Sequence, residues 1–230
     1  MKVLLYGRFG KHPQELGPLV AQFGFEIVDS DPEVVITYGG DGTFLGAERD
    51  WPQIPKLLLR DSDHCRLCST LSNEELLSGL KNGSLQSNLM NKLEVKIHNR
   101  VLLAANDVVL RNSLVNSALR FKFTAGLENH LQEEFIGDGI VIATPLGSTG
   151  YYYSITRKTF TQGLGLAFNN IHNIDVDPIV TDAMSLTILV VRGPGQLSVD
   201  NNPEMLTLSD GDEIIINKSS KMATLLVPKK

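Results

Sequence analysis

Long apolar runs, basic clusters and cysteines are all scarce in this chain, and each scarcity excludes something. No stretch reaches the about 18 consecutive apolar residues of a membrane-crossing helix. The apolar run within Met1–Gly10 is too short for a secretory signal. A cytoplasmic protein with no membrane partner is therefore expected. No Lys/Arg run exceeds two residues, and 21 basic against 26 acidic side chains leave a net charge of −5. The basic footprint of a nucleic-acid binder is missing. The only cysteines, Cys65 and Cys68, form a single C-x-x-C beside His64. A structural zinc site would need a second pair of ligands. A redox pair or half a zinc site is conceivable, but reduced thiols are the plain expectation for a cytosolic protein. No GxxxxGK[ST] occurs, which excludes a Walker-type phosphate loop, and there is neither an internal repeat nor a low-complexity segment.

What is present describes a folded chain. With 230 residues, 42% of them hydrophobic and 20% charged, there is material for one domain or two small ones. The first part alternates strand and helix signals. Lys2–Tyr6, Phe25–Val28, Val34–Tyr38 and Lys56–Arg60 read as strands. Pro13–Phe23 carries apolar residues at helical spacing, at Leu16, Leu19, Val20 and Phe23. Ser72–Leu80 opens with a capping-box pattern, Ser72 with Glu75 three residues later. This alternation predicts a small α/β layer with a mostly parallel sheet over residues 1–88. From about Leu89 the texture changes to many short alternating runs: Leu93–Asn99, Arg100–Leu110, Ala118–Ala125, Glu133–Ile136, Ser185–Val191, Gln196–Val199, Leu206–Leu208 and Glu213–Ile216. Turn signals between them, among them Gly126, predict an all-β region over 89–219. A last strand, Met222–Val227, could complete that region or return to the first domain.

Three stretches carry chemistry. Val34–Leu45, VVITYGGDGTFL, is an apolar strand run, a glycine turn and the start of a helix over Phe44–Asp50, with Thr43 as its candidate cap. A strand, a tight turn and a helix start gather backbone N–H groups and suit a phosphate. Asp41 is out of place among phosphates unless it holds Mg²⁺ or accepts a proton from a hydroxyl. A simple surface turn is the competing reading, since Asp-Gly is a common turn dipeptide. The second stretch, Gly137–Ser154, runs from Asp138 through a strand into TPLGSTGY, a loop of hydroxyls, small residues and an aromatic that suits a purine and a ribose better than a metal. Tyr151, Tyr152 and Tyr153 could stack on a ligand or pack; adjacent residues cannot all face one ligand. In the third, Asn106 and Asp107 interrupt the apolar run Val101–Leu110. They either form a β-bulge or bond ribose hydroxyls or a base edge.

Taken together, GGDGT at 39–43, Asn-Asp at 106–107 and GDG…TPLGSTGY at 137–151 resemble the NAD kinase family. LSVDNNPE…GDEIII at 197–216 is similar to its later segment, and the likeness spans roughly residues 1–227. The resemblance implies an α/β N-terminal domain and an all-β C-terminal sandwich domain with the active site between them. Residues 220–230 would return to the first domain. It implies transfer of the ATP γ-phosphoryl group, with Mg²⁺, to the 2′-hydroxyl of the adenosine ribose of NAD, by a dimer or tetramer. By similarity Asp41 is the proton acceptor, and Gly39, Gly40, Gly42 and Thr43 shape the phosphate turn. Asn106 and Asp107 hold ribose and base, Asp138 contacts substrate, and Thr149, Gly150, Tyr151 and Ser154 line the nucleotide loop. A free Asp has a pKa of about 3.9, so Asp41 would chiefly orient the hydroxyl and take its proton late in a loose transition state.

The chain also departs from the family pattern. Gly150 stands where alanine is usual. Ile155–Gly163 replaces a paired-glycine segment, and Leu59–Thr70 replaces a glycine-and-asparagine stretch. Asn170-Ile171 precede His172, Asp177 replaces an arginine, and Val199–Asn202 replaces a VDG turn. These departures favour, as an alternative, a dinucleotide-binding sensor or degenerate kinase without turnover. A lipid or small-molecule kinase sharing only GGDGT would leave Thr144–Tyr151 unexplained.

Overall fold

Strand runs and helical periodicity take turns through the first third of the chain, and the backbone follows them. The computed structural model describes residues 1–61, 65–125 and 134–229; His64, Gly126 and Glu133 lie outside the described residues. Two units emerge, Met1–Met90 with Lys221–Lys230, and Asn91–Ser220.

In the first unit, β1 (Lys2–Tyr6), α1 (Leu16–Gln22), β2 (Glu26–Ile27), β3 (Val34–Gly39), α2 (Asp41–Asp50), β4 (Lys56–Arg60) and α3 (Asn73–Lys81) lead into β5 (Leu85–Ile97). β2, β1, β3 and β4 pair in that order, all parallel. The apolar runs of β1, β3 and β4 are continuous because both sheet faces are covered. Val3, Leu5, Val34, Ile36, Leu57 and Leu59 pack with Leu16 and Val20 of α1 and Leu76, Leu77 and Leu80 of α3. The alternate residues Leu4, Tyr6 and Val35 pack with Ala47 of α2. Ser72 and Glu75 close the expected capping box on α3. The chain end supplies a further parallel strand, with Leu225 opposite Lys56.

The second unit is all antiparallel apart from one short helix. β6 (Arg100–Ala104), β7 (Asp107–Asn112), β8 (Leu119–Ala125), β9 (Phe135–Gly137), β10 (Gly139–Ala143), α4 (Tyr151–Thr156), β11 (Leu164–Asn169), β12 (Ile179–Thr181), β13 (Ser185–Arg192), β14 (Gly195–Val199), β15 (Leu206–Leu208) and β16 (Glu213–Pro228) follow in order. One sheet runs β12-β11-β10-β7-β14-β15. The other pairs β16, β13, β8 and β9 in that order. Their inward faces share one core. Its centre is an aromatic cluster: Phe135 of β9 lies 5.1 Å from Phe168 of β11 and 5.4 Å from Phe121 of β8, ring centre to ring centre. Alternation with one face inward is the pattern of a two-sheet sandwich. An α/β part followed by a β-sandwich is the expected fold class.

Local boundaries differ from expectation. β5 begins at Leu85, because Gln86–Asn91, exposed apart from half-buried Met90, pairs as strand without a buried apolar face. The run Arg100–Leu110 is two strands, broken at Ala105-Asn106. Glu213–Ile216 and Met222–Val227 belong to one strand, β16.

Candidate active site

β3 delivers the chain into Gly39-Gly40, and α2 starts at once. Gly40 is the N-cap, in extended conformation, and no side chain caps the helix. Thr43 is thus inside the first turn rather than at the cap, with its N–H bonded to the Gly40 carbonyl at 2.9 Å. The reason is steric. A Cβ on Gly39 would sit 2.2 Å from Thr43 Oγ1, so only glycine lets the strand end press on the helix start. Asp41 becomes the first helical residue, half-buried, while Gly42 is exposed. α2 is pinned by a buried ion pair between Glu48 and Lys56 of β4, and Lys56 Nζ also donates to the Trp51 carbonyl at 2.7 Å. Tyr6 donates to Asp50 at 2.5 Å, and burial, then this carboxylate, push its phenol well above the usual range.

The Asp41 carboxylate does not dangle in solvent. Its Oδ1 accepts the Leu67 N–H at 2.9 Å, and the Arg66 N–H reaches Oδ1 and Oδ2 at 3.1 Å each. These donors lie in the turn Cys65–Cys68, which a disulfide closes. The expectation of reduced thiols is therefore corrected. Four residues of turn place the two Cα atoms 5.5 Å apart, within the span that a disulfide bridges.

The second cluster is built around Asn106-Asp107. Asp200 sits at the end of β14 with φ +49°, in a left-handed turn that Asp tolerates. Its carboxylate accepts N–H groups from Ala105 at 2.8 Å, Asn106 at 2.7 Å and Asp107 at 3.0 Å. Its own N–H donates to the Asp107 carbonyl at 2.9 Å. One carboxylate thus satisfies the backbone where the strand breaks. The Asp107 side chain is buried, and loss of water, then the charge of Asp200, push it up to about 7. Asp200 is itself raised by desolvation, which the three N–H groups and the Lys92 charge partly oppose.

The TPLGSTGY loop is fastened to this break. Buried Thr144 donates its hydroxyl to the Ala105 carbonyl at 2.6 Å and its N–H to the Asn106 carbonyl at 2.8 Å. A Cβ on Gly147 would lie 2.1 Å from the Asn106 carbonyl oxygen, so this glycine is required for close approach. A Cβ on Gly150 would lie 3.9 Å from Asp107 Oδ2 and 4.0 Å from Asn106 Nδ2. Asn106, Asp107 and Gly150 therefore meet. The Thr149 hydroxyl donates to the Leu146 carbonyl and that of Ser154 to the Tyr151 carbonyl, both within the loop and its helix. Asp138 accepts from Asn170 at 2.7 Å, and Asn169 donates to the Tyr151 hydroxyl at 3.3 Å. Of the three tyrosines, Tyr152 is core, Tyr151 half-buried and Tyr153 exposed.

The replaced segment Ile155–Gly163 has a packing role. Phe160 meets Tyr152 edge-on at 5.1 Å, and its carbonyl accepts the Ser148 hydroxyl at 3.2 Å. Its ring fills the space where a Cβ on Gly165 would stand. The sequence alone does not point to Asp200, or to the N–H groups of Arg66 and Leu67, as anchors of the site. An Asp in a Val-Asp-Asn-Asn turn is a local signal of an Asx-type anchor, but nothing local says which backbone it holds.

Residues 105–227 match the family model of the ATP-NAD kinase C-terminal domain, more than half of the chain. An NAD kinase of Shewanella halifaxensis is 28% identical over 94% of this chain and 74% of its own length. One of Clostridium beijerinckii is 29% identical over 86% of this chain and 74% of its own. Two solved structures share the fold. An NAD kinase from Archaeoglobus fulgidus in complex with ATP has a TM-score of 0.81 at 17% identity, covering 100% of this chain and 95% of its own. Yeast NADH kinase complexed with NADH has a TM-score of 0.84 at 14% identity, covering 100% and 84%. Among the described residues no helix is long and apolar enough to cross a membrane.

Proposed function

Since the chain belongs to the ATP-NAD kinase family, we propose that it phosphorylates NAD to NADP with Asp41 as the residue that receives the acceptor hydroxyl. A bond forms between the ribose 2′-oxygen and the γ-phosphorus of ATP. The bond from that phosphorus to the β,γ-bridging oxygen breaks, and ADP leaves with the electron pair. The 2′-hydroxyl proton passes to Asp41 and from there to water. Little proton abstraction is needed before a loose transition state, so orientation comes first and proton acceptance late. The observation that carries this reading is the anchored Asp41 carboxylate at the first residue of α2. A carboxylate offers about four acceptor directions, more than its three contacts with Arg66 and Leu67 use.

Gly39, Gly40, Gly42 and Thr43 shape the turn that receives phosphate. Asn106 and Asp107 bind the ribose and base of NAD, Asp138 contacts the substrate, and Thr149, Gly150, Tyr151 and Ser154 line the nucleotide loop. Among the described residues no three acidic, His or Cys side chains gather as a protein metal cage requires. The divalent cation would arrive with the donor, as a Mg²⁺–ATP complex. We place the enzyme in the cytoplasm as a homo-oligomer, dimer or tetramer. The exposed apolar side chains Val101, Val115 and Val180 support the association, and sedimentation tests it.

The test is incubation with Mg²⁺–ATP or polyphosphate and NAD, with NADP read by an NADP-specific dehydrogenase. Product from wild type is expected, and about 10²–10⁴-fold less from Asp41→Asn. Tight dinucleotide binding by calorimetry with no turnover would make the protein a sensor instead, the reading that the altered Leu59–Thr70 and Ile155–Gly163 segments favour.

A further inference from the structure

The C-x-x-C pair lies against Asp41. Cys65 Sγ is 3.3 Å from Asp41 Oδ1, the Cys68 N–H points at Cys65 Sγ from 3.1 Å, and Cys68 Sγ is 3.9 Å from the Gly39 carbonyl oxygen. Between the two sulfurs stand Arg66 and Leu67, whose N–H groups hold the Asp41 carboxylate. A turn of four residues has no core of its own, and Arg66 is exposed. The covalent bond between residues 65 and 68 closes the turn that carries both N–H groups. Both cysteines are only half-buried, and a disulfide with access to solvent is open to exchange with a thiol.

We propose that Cys65 and Cys68 are a thiol–disulfide switch that sets the rate of phosphoryl transfer by fixing or releasing Asp41. The proposal rests on the role of Asp41 given above. The reductant is a dithiol. One of its thiolates attacks a sulfur of the Cys65–Cys68 bond and forms a mixed disulfide, releasing the other cysteine as thiolate. The second thiolate of the dithiol then displaces the remaining cysteine. The dithiol ends as its own disulfide, having given two electrons, and two protons end on Cys65 and Cys68. The turn is then free to leave Asp41, whose carboxylate loses its fixed direction. Asn106, Asp107 and the loop Thr144–Tyr151, to which we assign NAD binding, lie outside this turn. The switch therefore acts on kcat and leaves KM for NAD alone.

The experiment uses the whole chain, air-oxidised, reduced with dithiothreitol, and reoxidised with diamide. Mass spectrometry of the intact protein scores the thiol state. A misplaced reacting group can cost up to about a hundredfold in rate. We expect reduction to lower kcat by about tenfold or more, with KM for NAD within about twofold, and reoxidation to restore it. The double variant C65S/C68S has the reduced rate in all three conditions. Hydrogen exchange read at the Arg66 and Leu67 amides is independent of turnover; it is slow in the oxidised protein and fast in the reduced protein and in the variant. Equal kcat in both thiol states, a change in KM alone, unchanged exchange at these amides, or free thiols in the oxidised sample each overturn the switch and leave the kinase reading standing. No NADP in any state overturns the kinase reading, and the switch falls with it.

Discussion

The two carboxylates at the heart of the two units are held in opposite ways. Asp41 is half-buried at a helix start and is gripped by N–H groups of a turn about 25 residues further along the chain. Asp107 is buried, faces a second carboxylate, and sits at a backbone break anchored from Asp200, 93 residues away. The first environment fixes a carboxylate by backbone N–H groups and leaves it half-buried. The second removes water and sets like charges together, which poises a proton near neutral pH. One residue type thus stands in two contrasting environments.

The sharpest way to break this contrast is Asp41→Asn. General-base and orienting groups contribute about 10²–10⁴-fold, so NADP formation should fall by that factor in the coupled assay, while calorimetry still finds NAD bound. Loss of binding together with turnover would mean that Asp41 belongs to ground-state recognition.

Asp200→Ala attacks the other region. It leaves the N–H groups of Ala105, Asn106 and Asp107 without their acceptor, at about 1–3 kcal/mol for each that stays buried. A lowered melting temperature and a raised KM for NAD are expected, with hydrogen exchange at Arg66 and Leu67 unchanged. Faster exchange at those two amides would show that the two regions are not independent.

The third test is pH. Asp107, pushed up to about 7, is charged only above that value. As an acceptor for ribose hydroxyls or a base amine it must be ionised, so kcat/KM for NAD should rise with pH through about 7. Asp107→Asn should remove that rise, and Asp200→Asn should move it to lower pH, because the neighbouring charge is gone. Stability runs the other way. A carboxyl raised in the folded state stabilises fully below its unfolded value, and that contribution is lost as pH rises through about 7. Denaturant melts of wild type against Asp107→Asn between pH 4 and 8 read the difference.

The smallest effect is expected at Arg157→Ala, in the replaced segment. The guanidinium lies over the exposed Tyr153 ring at 5.8 Å, worth about 0.5–1 kcal/mol. Melting should move little and kcat/KM should stay within about twofold. A large loss would mean that Arg157 contacts the nucleotide.

Much of this was legible in the residues. Period-two and continuous apolar runs announced the strands, and Ser72 with Glu75 announced α3, because these signals are local. The start of α2 was misplaced toward Thr43 because the capping work is done by Gly40, through its backbone, with no side chain to recognise. β5 was cut short because Gln86–Asn91 pair as strand without an apolar face to mark them. The motif residues of the site were visible because each motif is contiguous. Their anchors were not: Asp200 acts on Ala105–Asp107, and Arg66 and Leu67 act on Asp41, through backbone N–H groups that any residue type carries.

By itself the sequence determined the two textures, α/β then all-β, and the three motifs that resemble a nucleotide kinase, since periodicity and glycine placement are properties of short windows. Only the tertiary structure decided which carboxylate stays available and which is buried, that Cys65 and Cys68 are joined, and that their turn rests on Asp41. Burial, like-charge pairing and the aim of a backbone N–H depend on what the fold brings together across tens of residues, and no short window holds that information.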